Sequence, residues 1–345
     1  MPQFMAVVCE YLDRGTKLAL ATLVSRKGSA PRGRGARLLA DSSGLVHGTV
    51  GGGAAEAAVL EACANVLRDG GTRLLDLTLT NAEAAKEGMA CGGEVRVFVE
   101  TLLPDQETRD FFAAVERASG NGVLLTRLAA GRDMLPERTL FAVGIFYGTP
   151  LEAGIEKTFL AALDSRDVPA EGAELFLDGE MYFADPLTPP GRVIIAGAGH
   201  VAVPTAELAA FAGFGVHVID DRPEFVLPGR FPGALSVHVV PEFVDCLVPF
   251  SPDARTCVVI VTRGHMFDGA VLAQALRTNA GYIGMIGSRK KRDTVYAALR
   301  EQGFNDADFT RVRCPVGLDI GAETPEEIAF SIVGECIAHK KGKLP

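Results

Sequence analysis

The stretch that most constrains the fold is Arg192-Val-Ile-Ile-Ala-Gly-Ala-Gly-His200. Residues 193–196 form a short apolar run of the kind that makes a buried strand. Gly197-Ala198-Gly199 follows, and then Val201, Thr205, Leu208 and Ala212 recur at helical spacing. Strand, glycine turn and helix in that order open a dinucleotide-binding unit. Gly197 allows the tight turn, Gly199 lets the backbone approach a phosphate, and Ala202 supplies the small third position of G-x-G-x-x-G/A. Free N–H groups at the helix start then face an anion. A second apolar strand, 215–219, ends at Asp220. That is close to the ~20-residue spacing expected of a carboxylate that accepts from a ribose hydroxyl. The pattern identifies a fold more firmly than a ligand.

Length and composition set the frame around this unit. A chain of 345 residues is long enough to split into two domains. With 48% hydrophobic and 22% charged residues it is globular rather than disordered. No apolar run approaches a membrane span, and the first ten residues lack the basic flank of a signal peptide. The 7 cysteines are scattered and form no C-x-x-C pair. Neither a structural zinc nor a disulfide framework is expected, and a reducing cytoplasm is. A net charge of −9 argues against nucleic acid. An anionic ligand must be held by local basic clusters.

The N-terminal part reads as α/β. Leu12 lies in a first helix, and 17–24 is a weakly alternating strand. The glycine-rich loop 25–37 crowds together Arg26, Lys27, Arg32, Arg34 and Arg37 before a strand at 37–40. A turn at 41–44 leads to a strand at 45–50, then to Gly51-Gly52-Gly53 and a helix over 54–67. A glycine triplet between strand and helix is either an anion nest or a tight corner needing positive φ, and the basic loop upstream favours the nest. A short helix at 81–87 precedes Met89-Ala-Cys-Gly-Gly93 and a strand at 94–100. Cys91 on that turn is either a reachable thiol or a small buried hydrophobe. A helix at 106–118 and strand-like runs at 123–128, 139–143 and 173–184 complete the first domain, taken as 1–186. The proline-rich stretch 185–191 is the linker to a second domain, 187–345.

In that second domain 235–240, 256–262 and 282–286 are further parallel strand candidates. Ligands bind beyond the carboxyl ends of such strands, which places His200, Arg263 and His265 on one rim. Asp268 is expected to cap a helix over 269–277. Ser288, Arg289, Lys290, Lys291 and Arg292 open the next helix, where cations oppose the helix dipole unless solvent screens them or an anion sits among them. The last helix carries a capping box, Thr324 to Glu327, with Pro325 at its first position. Pattern alone gives no account of Cys314-Pro-Val-Gly-Leu-Asp-Ile-Gly321. Cys9, Cys63, Cys257 and Cys336 lie in helical or apolar patterns and look like core, whereas Cys246 and Cys314 lie in or beside loops.

Seven ordered stretches resemble the xanthine dehydrogenase accessory factors of the XdhC/CoxI type. They are Gly28-Ser-Ala-Pro-Arg32, Val50-Gly-Gly-Gly53, Gly88-Met-Ala-Cys-Gly-Gly93, Gly197-Ala-Gly-His-Val201, Thr262-Arg-Gly-His265, Tyr282-Ile-Gly-Met-Ile-Gly-Ser288 and Pro315-Val-Gly-Leu-Asp-Ile-Gly-Ala322. The likeness covers residues 16–100 and 190–338 and is weakest between them. It implies an N-terminal α/β domain and a C-terminal Rossmann-like doubly wound parallel sheet. It also implies a homodimer that binds molybdenum cofactor, protects it, assists its sulfuration and hands it to a xanthine dehydrogenase-type hydroxylase apoenzyme, with a cysteine desulfurase as a further partner. That cofactor is a pterin dithiolene carrying phosphate. Arg32, Arg34, Gly51, Gly52, Gly53, Gly197, Gly199, His200, Asp220, Arg263, His265, Ser288 and Arg289 are then the cofactor-binding candidates. Cys91 is the candidate molybdenum contact or sulfur relay. Ala54 stands where the family usually has a cysteine, so any scheme needing two thiols is in doubt.

Two other readings attach to the second domain. One is an NAD(P)-dependent oxidoreductase using Asp220; the other is a regulatory protein that senses a nucleotide. His200 weighs against a plain dinucleotide site, because its ring takes up space near the pyrophosphate.

Overall fold

The structure is a computed structural model, and it describes residues 2–344 apart from 80–92, 119, 133, 166, 170, 188 and 189. The chain divides into two compact units, Met1–Pro189 and Pro190–Pro345.

The N-terminal unit runs α1 (Pro2–Asp13), β1 (Leu18–Lys27), β2 (Arg37–Asp41), β3 (Gly44–Gly48), α2 (Gly53–Asp69), β4 (Thr72–Leu79), β5 (Gly93–Leu102) and α3 (Gln106–Arg117). It continues with β6 (Gly122–Arg127), β7 (Arg138–Ala142), β8 (Ile145–Gly148), α4 (Ala153–Asp164), β9 (Ala173–Leu177) and β10 (Glu180–Pro186). Two five-stranded sheets result, ordered β3-β2-β1-β5-β4 and β8-β7-β6-β10-β9, and every pairing recorded in them is antiparallel. Both faces of β1 are covered, which explains its weak alternation. Ala19, Ala21 and Leu23 pack toward α2, while Leu18 and Leu20 join Leu12 of α1 and Phe112 of α3.

Two buried ion pairs join the sheets: Arg37 of β2 with Asp185 of β10, and Arg138 of β7 with Glu100 of β5 (2.6 Å). Charges this deep persist only when paired. The expected single run 173–184 is instead a hairpin. Asp178 and Gly179 (φ 48° and 86°) supply the positive φ values of a two-residue turn. Strand β8 and helix α4 were not anticipated. The expected helix at 81–87 lies outside the described residues.

The C-terminal unit comprises β11 (Arg192–Ala196), α5 (Ala202–Phe211), β12 (Gly215–Asp220), β13 (Ser236–Val239), β14 (Thr256–Ile260) and α6 (His265–Leu276). Then come β15 (Tyr282–Met285), α7 (Arg289–Glu301), α8 (Asp306–Phe309), β16 (Val312–Arg313) and α9 (Pro325–Lys340). Its six strands form a parallel sheet ordered β13-β12-β11-β14-β15-β16. Residues of α5 and α9 pack on one face and residues of α6, α7 and α8 on the other, so the sheet is doubly wound as expected. Strand β11 lies between β12 and β14, and the chain turns back there in both directions, the usual place for a ligand crevice.

Candidate functional site

In the N-terminal unit the loop between β1 and β2 is closed by hydrogen bonds from Leu23 N–H to the Ala36 carbonyl and from Gly35 N–H to the Leu23 carbonyl, both 2.8 Å. Its cations separate. Arg37 turns inward to Asp185. Lys27 lies 4.0 Å from Glu94, and Arg34 donates to the Gly172 carbonyl at 3.4 Å. Arg26 and Arg32 are exposed.

Gly51, Gly52 and Gly53 all take positive φ (145°, 82° and 61°), so the triplet is a tight corner. It is an anion nest as well, and the protein fills it. Glu56, in the first turn of α2, accepts from the Thr49 hydroxyl, from Val50 N–H at 3.2 Å and from Gly52 N–H at 3.3 Å. The Thr49 hydroxyl first, then the backbone donors, hold this carboxyl below its usual pKa against the effect of burial.

A Cβ on Gly51 would stand 3.0 Å from the Pro31 ring. One on Gly93 would stand 2.8 Å from the Ser29 carbonyl carbon. The 27–31 segment is therefore approached by Gly51, at Pro31, and by Gly93, at Lys27 and Ser29. Cys91, two positions before Gly93, lies outside the described residues.

In the C-terminal unit the glycine turn is bound into the sheet. Gly197 has φ 114°, and a Cβ there would stand 2.6 Å from the Val261 carbonyl carbon and closer still to its oxygen. A Cβ on Gly199 would meet nothing within 4 Å, so this backbone is bare. Asp220 is 1% exposed and its oxygens are taken up within the protein. Oδ1 accepts from the Arg222 backbone N–H (2.9 Å) and Nε (2.8 Å); Oδ2 accepts from Ala198 N–H (2.6 Å) and Arg222 Nη2 (2.8 Å). Burial alone would raise its pKa, but these bonds outweigh burial and lower it. Asp220 thus shapes the glycine turn rather than offering a lone pair to a ribose.

The rest of the rim follows β14 and β15. Arg263 binds Asp221 Oδ2 at 2.7 Å, and His200 is exposed on the turn. His265 opens α6; nothing is described of its side chain. Asp268 is not the cap of that helix: Gly264, with φ 99°, occupies the N-cap. The Asp268 side chain is fully buried, accepts from the Thr262 hydroxyl at 2.5 Å and pairs with Lys291. The anion expected among the cations of α7 is therefore partly internal. Ser288 caps α7 by accepting from Lys291 N–H at 3.3 Å, and Arg289 and Lys290 are exposed.

The loop that pattern could not explain is held by α9. Glu335, 6% exposed, accepts from Gly317 N–H at 2.7 Å and from the Tyr282 hydroxyl. The Ser331 hydroxyl donates to the Leu318 carbonyl at 2.6 Å. Burial first, then the neighbouring Cys336 and Glu335, keep the Tyr282 hydroxyl protonated.

Cys63, Cys246, Cys257 and Cys336 are buried. Burial pushes the thiols of Cys9 and Cys314 up to about 11 and those of Cys63 and Cys246 up to about 12. Cys314 joins the core side of its loop, within 3.7 Å of the Gly287 carbonyl. Among the described residues no group of three or more His, Cys, Asp or Glu side chains gathers to hold a metal, and no helix is long and apolar enough to cross a membrane. A cavity of about 620 Å³ lies beside α3 and β7, lined by Leu103, Asp105, Phe111, Arg138 and Tyr147, away from the motif-bearing loops.

The fold and these loops define a two-unit α/β protein with a Rossmann-like second unit, and comparison with known proteins makes the class specific. Residues 193–336 match the XdhC Rossmann domain and residues 11–78 the XdhC and CoxI family, together more than half of the chain. The chain belongs to the XdhC and CoxI family. It is 28% identical to a probable xanthine dehydrogenase subunit from Bacillus subtilis, over 99% of this chain and 98% of that protein. It is 23% identical to the molybdenum cofactor insertion chaperone PaoD of Escherichia coli, over 94% of this chain and 84% of that one. The fold is shared with a crystal structure described as a xanthine dehydrogenase of Bacillus halodurans. The two are 24% identical with a TM-score of 0.78, over 99% of this chain and 96% of that one.

Proposed function

We propose that this protein binds molybdenum cofactor, shields it, assists its sulfuration and delivers it to a xanthine dehydrogenase-type apoenzyme in the cytoplasm, acting as a homodimer with a cysteine desulfurase as sulfur source. The observation that carries the reading is the approach of Gly51 to Pro31 and of Gly93 to Ser29 in the basic loop, with Arg26 and Arg32 exposed. The near full-length likeness to an insertion chaperone supports it.

The donor set fits an anionic pterin in a particular way. The glycine triplet already holds Glu56, so the phosphate end falls to Arg32 and, once its single carbonyl contact is released, Arg34. The cofactor supplies a dithiolene-bound molybdenum; the chain's part is to hold the anionic end and exclude water. Asp220 serves its own turn, which removes the first support for an oxidoreductase.

Protein purified without oxygen should release a pterin identifiable by mass spectrometry and activate a hydroxylase apoenzyme. Arg32→Ala with Arg34→Ala should weaken retention several-fold at low salt. Its melting temperature should hardly move, since surface charge changes usually cost less than ~0.5 kcal/mol. Retention equal to wild type would leave these cations as a solvated face; tight NAD(P) binding with hydride transfer and no pterin would overturn the whole reading.

Cys91 is the thiol we assign to the molybdenum end. Of the six described cysteines, Cys257 is buried in the sheet, and the pKa values of Cys9, Cys63, Cys246, Cys314 and Cys336 are raised, which disfavours the thiolate that coordinates metal or carries sulfur. Cys91→Ser should keep the melting temperature and lose cofactor delivery in the apoenzyme assay. Wild-type delivery by that variant, with failure of Cys314→Ser, would move the role to Cys314.

A further inference from the structure

The face of the second N-terminal sheet that packs under α4 changes character along its length. Leu125, Phe159 and Ala184 fill its middle as core. Strand register then brings polar side chains to the end beside the first turn of α4. Tyr182 of β10 stands opposite Arg127 of β6, so the two share a face, and Glu180 lies two residues from Tyr182 on the same side. Arg127 Nη1 donates to Glu137 at 2.7 Å, and its Nη2 stands 3.0 Å from Glu180.

A cavity of about 260 Å³ opens at this end, and its wall includes Arg127, Glu137, Glu152, Asp178, Glu180 and Tyr182. Four carboxylates therefore face one guanidinium. Glu137 and Glu180 are paired with it, whereas the carboxylates of Glu152 and Asp178 take no ion pair or hydrogen bond among the described residues. The dipole of α4 offsets only about half a charge at its N-terminus. Tyr182 points to a ligand independently. It is 5% exposed, and its hydroxyl has no hydrogen-bond partner among the described residues. A buried phenol normally finds one. Arg127, Glu137, Glu180 and Glu152 all act electrostatically on that hydroxyl, which sets it at the charged wall of the cavity rather than among the leucines.

A metal ion fits poorly, because among the described residues no three acids gather closely enough to hold one. Acceptors spread around a wall suit a molecular cation, whose N–H groups reach several of them at once. We infer that this cavity binds a short linear diamine in its doubly protonated form. Glu152 and Asp178 accept from the ammonium groups, and the Tyr182 oxygen accepts a further N–H. Leu151 and Ile155, which also line the cavity, cover the methylene chain. The charge count separates a diamine from a monoamine: four acids against one arginine leave an excess that a single ammonium group offsets only in small part. None of the cofactor-binding candidates lines this cavity, so the inference is independent of the reading above.

Calorimetric titration of the whole protein at low salt with the terminal diamines of propane, butane and pentane tests this. Butylamine, Nα-acetyl-lysine methylamide and magnesium chloride are titrated beside them. At least one diamine should bind saturably, one per chain. Butylamine should bind roughly ten-fold more weakly, the scale of one lost hydrogen bond between charged groups. Glu152→Gln combined with Asp178→Asn should weaken the diamine by at least about ten-fold and leave the melting temperature unchanged, since both side chains are exposed. Tyr182→Phe should weaken it by about three-fold or more. Absence of saturable binding by all three diamines, equal binding of butylamine, or unchanged affinity in either variant would each overturn the inference. Tighter binding of Nα-acetyl-lysine methylamide would overturn it in favour of a lysine side chain from a partner protein, and tighter binding of magnesium in favour of a metal. Should Tyr182→Phe fail to fold, the variant of the two exposed acids decides by itself.

Discussion

Asp185→Ala should remove about 3–5 kcal/mol from the stability of the N-terminal unit, the usual loss when one member of a buried ion pair is deleted. Arg37 and Asp185 are 4% and 5% exposed, and Arg37 Nε has no hydrogen-bond partner even in the intact protein. Without the carboxylate, a guanidinium would be left between two sheets with only the charge of Glu100, already paired with Arg138, to offset its lost hydration. A domain holds only ~5–15 kcal/mol in all, so the unfolding transition of this unit should move to much lower urea. The control is Arg37→Met combined with Asp185→Leu, which removes both charges and should recover most of the loss. Urea titration followed by circular dichroism gives the answer. A midpoint that barely shifts in Asp185→Ala would mean the sheets are joined by their apolar contacts alone.

Gly197→Ala should cost roughly 2–5 kcal/mol, while Gly199→Ala should leave the fold nearly untouched. Gly197 is held at φ 114° with the Val261 carbonyl against the space a Cβ would need, so the methyl brings strain and overlap together. Its neighbour two residues on faces open space. The Gly199→Ala variant should therefore keep its melting temperature. Equal melting temperatures for the two variants would show that the turn yields easily and that the β14 end does not constrain it.

The C-terminal unit was readable because its signals are local. A strand, two glycines and a helix lie within twenty residues of one another, and the Thr324–Glu327 box spans a single helical turn. Misreadings arose where a local pattern was overruled from a distance. Asp268 looked like a helix cap, yet Gly264 provides the turn and Lys291, on the next helix, draws the carboxylate inward. The glycine triplet was legible as an anion nest. That Glu56 fills it could have been suspected from an acid in the first turn of α2. The Asp178-Gly179 hairpin was likewise present in the sequence as a two-residue turn signal. Arg37, by contrast, is 148 residues from Asp185, and no periodicity reveals that it leaves the basic loop for the core. Asp220 shows the same limit at close range: the spacing pointed to the β12 terminus, but only geometry shows that the oxygens of this acid are filled.

The tie between Glu335 and the loop around Gly317 also sets an order of events in the making of the protein. Chains leave the ribosome from the amino end, and domains fold as they emerge. The N-terminal unit is complete before β11 appears. The loop at 314–322 emerges before the helix that anchors it, and Tyr282 emerges earlier still. Until α9 follows, that edge of the rim is tied through β15, by Val316 N–H to the Met285 carbonyl, and the Tyr282 hydroxyl lacks its Glu335 acceptor. The nascent protein thus acquires its first unit well ahead of a finished rim in the second, because α9 must emerge before Glu335 can hold the loop.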